Sequence, residues 1–278
     1  MTRSFRALCL AALLAAAPLA HADIARASAE ILVRQSGLWE QLDSVAPQIE
    51  AGMRQAMTRA HVAPADSEQA RIARVIRSAY AADRLRSLST GVIASRVQAQ
   101  HLEALRTWFE SPLGATVTRA EITTFRGDRN ADAARKEGFR LLAPMAVERR
   151  QLLQDLLDAT HAAESMVQVA ISTSLAVQLG AASATHAGPL PSEARARAFL
   201  EAQRPQMLKS FTALTIASFA RAYDGLGEDD LRAYIAFLRS PAGADFNDAS
   251  LHALQAALTD AATQMGQRLP GTRDDSNI

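Results

Sequence analysis

The spacing of apolar residues is the feature of this chain that most narrows its possible folds. Apolar side chains recur three and four positions apart in four long stretches, at 31–49, 72–80, 141–157 and 208–219. That spacing places them on one face of an α-helix, and the apolar–polar alternation of β-strands is nearly absent. Alanine, leucine, arginine, glutamate and glutamine, all strong helix formers, dominate the composition. The sequence therefore predicts an all-α helical bundle.

The first residues have the layout of a secretory signal peptide. Arg3 and Arg6 give a basic start, an unbroken apolar run follows at 7–17, and Ala-His-Ala stands at 20–22. These are the three parts of such a leader, and the run is shorter than the roughly 20 residues that cross a bilayer. We expect residues 1–22 to be removed on export, which places the protein in the periplasm of a bacterial envelope.

Charge and cysteine content argue against several classes of function. The chain carries 30 Lys and Arg against 29 Asp and Glu, so it lacks the basic excess of nucleic-acid binders. Cys9 is the only cysteine and follows Leu8 inside the predicted leader, where a lipid-anchored cysteine would not stand. The exported chain then has no disulfide, no thiolate metal ligand and no cysteine nucleophile. We also expect no transmembrane segment in it, because no second apolar stretch reaches the required length.

One motif occurs twice and predicts a duplicated architecture. The letters WFESPLG begin at Trp108, and FLRSPAG begins 129 positions later at Phe237, each at the end of an apolar helical stretch. A Ser-Glu pair typical of helix starts also recurs, at 67–68 and 192–193. We therefore predict two tandem, related helical halves. The predicted boundaries are 1–22 for the signal peptide, 23–150 for the first repeat, 151–270 for the second repeat and 271–278 for a flexible tail.

The Ser-Pro-x-Gly part of the motif predicts an abrupt helix corner. The residue before a proline is pushed out of the α conformation, serine is a favoured N-cap, and proline is favoured at the first helical position. One helix therefore ends and the next begins without a loop. Glycine lets a neighbouring segment come close, and the large residues before serine can fill the bend. A structural corner and a binding spot at the corner both fit. The motif residues are Trp108, Phe109, Ser111, Pro112 and Gly114, and Phe237, Leu238, Ser240, Pro241 and Gly243.

These residues carry a family resemblance. A helix that ends in two large apolar residues before x-Ser-Pro-x-Gly, together with the segment from Glu30 to Leu38, resembles the exported bacterial helical family named domain of unknown function 2059. Each half of the chain is similar in length to one family member. The family usually has Phe-Tyr before the motif and often a lysine after its glycine, and this chain has neither. The resemblance implies an all-helical, secreted protein and implies no activity.

Sequence motifs for catalysis, cofactors or metals are not found. Residues 128–132 begin like a calcium loop, but Ala133 and Phe139 stand where the loop needs glycine and glutamate, so a helix N-terminus is expected instead. The histidines after the leader lack metal-ligand spacing and are expected to face solvent or lie in loops. They are His61, His101, His161, His186 and His252.

Two functions remain open on the sequence. The first is a non-enzymatic periplasmic module that binds a partner protein or an apolar ligand, since a groove between two related bundles is a natural ligand site. The alternative is a cell-envelope hydrolase whose carboxylates come together only in the fold. A concave site with two carboxylates roughly 5–10 Å apart would favour the hydrolase, and an apolar groove would favour binding.

Overall fold

The computed structural model describes residues 25–61, 65–127, 131–185 and 193–269, and the regular secondary structure of these residues is entirely helical. The predicted all-α fold is confirmed. The predicted signal peptide at 1–22 and the predicted tail at 271–278, as well as Asp128, Asn130 and His186, lie outside the described residues.

The helices follow one another with short connections. Their bounds are α1 (25–35), α2 (Leu38–Arg59), α3 (Asp66–Ala79), α4 (Ala82–Arg96), α5 (Leu102–Glu110), α6 (Pro112–Gly127), α7 (Ala131–Leu142), α8 (Val147–Thr160), α9 (Ala162–Thr185), α10 (Glu193–Ala202), α11 (Arg204–Ala222), α12 (Glu228–Arg239) and α13 (Pro241–Arg268), with a short 3₁₀ turn, Ala99–His101, before α5.

Helix starts and stops have local causes that can be read from the sequence. Acidic residues open α12 at 228–230, where they face the positive end of the helix dipole, and the Asp230 carboxylate accepts a hydrogen bond from the Gly227 N–H. The corner from α1 to α2 turns through Gly37 at φ +75°, and the corner from α8 to α9 turns through His161 at φ +50°. This left-handed conformation suits glycine and is uncommon for other residues.

Helix α13 is the centre of the larger core. It packs lengthwise against α9 and α4 and also contacts α3 and α5. Ala249, Ala253, Ala257 and Ala261 recur at every fourth position and are fully buried. Since a methyl side chain takes little room, this stripe lets the backbones of neighbouring helices approach α13 closely.

The closest approach between α9 and α13 lies at two glycines. A Cβ atom on Gly180 would stand 2.4 Å from the carbonyl oxygen of Thr263, and one on Gly266 would stand 2.3 Å from that of Val177. Neither position has space for any side chain. The long pairing of α9 with α13 therefore depends on glycine at both residues.

The core does not divide at the predicted repeat boundary. The cluster around α13 also contains buried residues of α1 to α5, and a second cluster joins α8, α11 and α12 with Val117 of α6. Contacts between the halves run in both directions, because α13 packs on α4 as well as on α9 of its own half, and α6 and α7 pack on α11. A common origin of the halves stays a prediction.

The expectation that no further apolar stretch reaches membrane-spanning length is wrong. Ala162–Ser183, within α9, is 22 residues long with a mean hydropathy of 1.3, which is sufficient by length and composition. The core helix of a soluble protein passes the same test. Val167, Ile171 and Leu175 of α9 are buried within this fold, but only 28% of the most apolar part of the helix is buried, so the absence of a transmembrane segment stays a prediction.

Replacing the corner glycines tests the importance of the Ser-Pro corners. A Cβ on Gly114 or Gly243 would stand 2.0 Å from the carbonyl oxygen of Trp108 or Phe237, so Gly114→Ala and Gly243→Ala should each lower the free energy of unfolding by about 2 kcal/mol or more. Gly52 in α2 has nothing within 4 Å, and Gly52→Ala should raise it by up to about 1 kcal/mol. Urea unfolding followed by circular dichroism measures all three. Equal effects at the three positions would contradict the close approach.

Candidate functional site

The two Ser-Pro corners have nearly the same geometry. Helix α5 ends at Glu110 and α6 begins at Pro112, and α12 ends at Arg239 and α13 begins at Pro241. The serine between each pair is extended, with φ −69° and ψ 152° at Ser111 and φ −69° and ψ 156° at Ser240.

Each corner serine bonds to both of the helices that it joins. The Ser111 Oγ accepts from the Gly114 N–H at 3.0 Å and donates to the Trp108 carbonyl oxygen at 2.7 Å. Ser240 makes the equivalent bonds to Gly243 at 3.1 Å and to Phe237 at 2.6 Å. One hydroxyl thus satisfies a donor at the start of one helix and an acceptor at the end of the other.

The rings that precede the two serines meet one another. Trp108 and Phe237, which are equivalent in the two copies of the motif, stack with centroids 4.2 Å apart and planes 5° apart. Tyr234 stacks on Trp108 at 5.8 Å, and Phe109 meets Phe246 edge-on at 5.3 Å. The rings therefore reach beyond their own bends. The sequence located both corners but gave no sign that they touch.

A cavity of about 270 Å³ lies beside this stack. Both halves of the chain contribute to its wall, with α2, α5 and α6 from the first and α11, α12 and α13 from the second. Eight aromatic rings line it and are those of Trp108, Phe109, Phe125, Phe219, Tyr223, Tyr234, Phe237 and Phe246. Of the predicted motif residues, Leu238 and Gly243 also line it, whereas Ser111, Pro112, Gly114, Ser240 and Pro241 are not among its lining residues.

Glu121 of α6 brings a carboxyl group into this aromatic wall. The hydroxyls of Tyr223 and Tyr234 both donate to its Oε1 atom, at 2.6 Å and 2.9 Å. Burial raises the pKa of Glu121 above its ordinary value, and the two tyrosine hydrogen bonds only partly oppose that rise. Burial, together with the neighbouring carboxylate, raises the pKa of each of these tyrosines well above 10, so both remain hydrogen-bond donors.

The remaining polar groups of the wall are neutral. Asn247 donates to the Thr160 carbonyl oxygen at 3.1 Å, and the buried Ser250 Oγ has no hydrogen-bond partner within the described part of the chain. Among the described residues that line the cavity, Glu121 is the single ionisable carboxyl and no Lys, Arg or His is present. The described residues also contain no group of three or more His, Cys, Asp or Glu side chains placed to hold a metal ion.

His101 lies in the 3₁₀ turn that connects α4 and α5, and it is paired with an acidic residue. Its Nδ1 lies 2.7 Å from Asp245 Oδ2, and both side chains are largely buried where the 3₁₀ turn meets α13. Burial would raise the pKa of Asp245, but hydrogen bonds from His101 and the Gln98 N–H outweigh it and lower that pKa. His61 and His161 lie at helix ends with positive φ, and His252 is exposed on α13. None of the four lines the cavity.

Sequence reasoning did not single out Glu121, Tyr223 or Tyr234, although a signal existed. Glu121 stands four positions after Val117 and three before Thr124, both buried, so it occupies the inward face of an amphipathic helix. A carboxyl on such a face is costly unless it has a partner or a role. The partners lie far away in sequence, and no local pattern names them.

We compared the chain with protein-family models, curated proteins and solved structures, and none matches it. The resemblance to the exported helical family therefore remains a prediction that depends on the quoted motif residues.

Glu121→Gln should make the protein more stable at neutral pH. Because the folded state raises the pKa of Glu121, folding favours the protonated form, and stability is lost as pH rises from the ordinary glutamate pKa through the raised one. Glutamine keeps an oxygen for both tyrosines without the charge. The melting temperature of the variant should exceed that of the unmodified protein above this range, and the difference should disappear below it.

The matched control for that measurement is Glu148→Gln in the exposed first turn of α8, which should not raise the melting temperature at neutral pH, because the carboxylate there interacts favourably with the helix dipole. If the difference in melting temperature between Glu121→Gln and the unmodified protein stays constant from acid to neutral pH, the inference that burial raises the pKa of Glu121 is refuted.

Proposed function

We propose that this protein is an exported, non-enzymatic helical module that binds a small apolar ligand in the cavity between its two halves. The observation that carries the proposal is a cavity wall that contains eight aromatic rings, with a single carboxyl already bonded to two tyrosines. Ligand pockets in proteins commonly have this character, in which an apolar wall provides affinity and a few fixed polar groups provide orientation.

The size and shape of the cavity favour a small, flat ligand. Its volume of about 270 Å³ lies near the lower end of the usual range for ligand pockets, about 300–1,000 Å³. Rings such as Phe125 and Phe219 offer large, rigid contact areas, and a planar guest can stack on them at little cost in conformational entropy. The ligand class proposed is therefore an aromatic or compact alicyclic molecule.

The hydrolase alternative finds less support in the geometry. Hydrolysis of a glycosidic bond by the common mechanism needs two carboxyl groups on opposite sides of the scissile bond, roughly 5–10 Å apart. The described lining of the cavity offers Glu121 alone. Its two partners are tyrosines whose pKa values are raised well above 10, which suits them to hold the carboxyl in place and not to abstract a proton.

A neutral apolar dye tests binding at the cavity directly. N-phenyl-1-naphthylamine fluoresces strongly in apolar surroundings, and we expect saturable binding with one site per chain. Ser218 lies on the cavity wall in α11, so Ser218→Phe should fill the space and weaken dye binding at least about tenfold. Fluorescence titration measures both affinities.

The matched control is Ser210→Phe, the same substitution two turns earlier on the exposed surface of α11. This variant should bind the dye as the unmodified protein does. Absence of saturable binding, or equal loss in both variants, would overturn the proposed site. A native mass spectrum of protein purified from the periplasm should show the mass of any co-purified ligand in the unmodified protein and not in Ser218→Phe.

Export is the part of the proposal that depends on the leader at 1–22. Expression of the full chain in a Gram-negative bacterium should yield a periplasmic protein whose first residue is Asp23, because Ala-His-Ala at 20–22 is the cleavage site. N-terminal mass mapping of the fractionated protein checks this. An uncleaved chain in the cytoplasm would contradict the location without affecting the cavity.

A further inference from the structure

We infer that the cavity selects organic cations, namely molecules in which a protonated amine is attached to an aromatic or apolar body. This inference rests on the proposed binding function and names the ligand class within it. Three features of the cavity support the inference. The Glu121 carboxyl has no cationic partner, its Oε2 atom accepts no hydrogen bond from a described residue, and aromatic rings line the cavity around it.

The carboxyl of Glu121 has no cationic partner, unlike many acidic groups of this protein. Glu68, Glu137 and Glu201 each pair with an arginine three positions later, at 2.6 Å in every case. The donors to Glu121 are instead neutral hydroxyls, and no cationic side chain lines the cavity within the described chain. When Glu121 is ionised, its negative charge is therefore not balanced by any cationic side chain of the described cavity lining.

The neighbouring arginines Arg149 and Arg126 interact with groups other than Glu121. Arg149 does not bond to the Glu121 carboxyl. It donates instead to the backbone carbonyl oxygens of Tyr223 and Leu226. Arg126, one turn beyond Glu121 on α6, lies 3.8 Å from Glu40. A cationic ligand would thus meet a carboxylate that no resident side chain has neutralised.

One oxygen of this carboxyl is available to a ligand. Both tyrosine hydroxyls donate to Oε1, and no described residue donates to Oε2. Glu121 is partly accessible and lines the cavity, which places its carboxyl within reach of a bound molecule. An ammonium group at Oε2 would complete the hydrogen bonding of the carboxylate, and charge-assisted bonds of this kind are the stronger ones.

The surrounding rings favour a cation over a neutral or anionic group. An ammonium over the face of Trp, Tyr or Phe is attracted by the ring quadrupole, and the attraction grows where water is excluded. Tyr223 and Tyr234 line the cavity in direct contact with Glu121, and Trp108 lines it beside Tyr234. An anion would gain none of these interactions and would meet the negative carboxylate directly.

Binding of a cation should also be linked to the proton on Glu121. Burial favours the protonated carboxyl, while a bound ammonium favours the carboxylate, so binding releases a proton when Glu121 is initially protonated. Affinity for a cation should therefore rise with pH through the titration of Glu121 and then level off. Affinity for a neutral ligand of the same shape should stay flat.

Three naphthalene probes of matched shape test the inference by isothermal titration calorimetry. These are 1-naphthylmethylamine, 1-naphthalenemethanol and 1-naphthoate, which at neutral pH are a cation, a neutral molecule and an anion. We expect the amine to bind at least about tenfold more tightly than the alcohol, and the anion most weakly. In Glu121→Gln the amine should lose its advantage, while affinity for the alcohol changes by less than about twofold.

Glu148→Gln is the control and should keep the order of the three probes. If Glu121→Gln fails to fold, the order of affinities and their pH dependence in the unmodified protein decide the question. Equal or tighter binding of the alcohol or the anion, with N-phenyl-1-naphthylamine still bound, would overturn cation selection alone. Failure of every probe and of the dye would overturn the proposed binding function, and cation selection with it.

Discussion

The change of chain direction at Ser111 and Ser240 is the constraint on which the rest of this architecture depends. Each serine hydroxyl bonds to both of its helices, and the following proline prevents the first helix from continuing, so α6 and α13 leave their corners in fixed directions. Those directions carry each helix onto the opposite half of the chain. The rings before the serines meet as a result, and the cavity lies where they meet.

The helical class and the two corners could be predicted because they depend on residues within a few positions of one another. Apolar spacing, a serine cap and a proline act locally, and the structure shows helices that end and begin at those residues. The cavity could not be predicted in this way. Glu121 meets Tyr223 and Tyr234 across 102 and 113 positions, and periodicity shows that a face is buried without showing what lies against it. The apolar length of α9 was missed because Ser, Thr and Gln interrupt it.

The Glu121 carboxyl, bonded to two tyrosines, also lowers the stability of the fold. A carboxyl in an aromatic environment without a cation makes the folded state less stable than an apolar side chain of similar volume would. Its two hydrogen bonds offset only part of the free energy lost when the charged group leaves water. His101 with Asp245 shows the ordinary arrangement, in which a largely buried carboxylate has a histidine and a backbone N–H beside it. The contrast between these two acids within one fold is the reason to assign Glu121 to a ligand.

The place of α13 in the first core has a consequence for how the chain matures. Helix α4 packs on a partner that is made last, and bonds such as Arg84 to Asp260 and Arg268 to Ser78 join residues 176 and 190 positions apart. A ribosome releases the amino end first, so the opening part of the polypeptide lacks its central helix until synthesis is nearly complete. The first core is therefore completed only after α13 has left the ribosome, although most of its residues are synthesised much earlier.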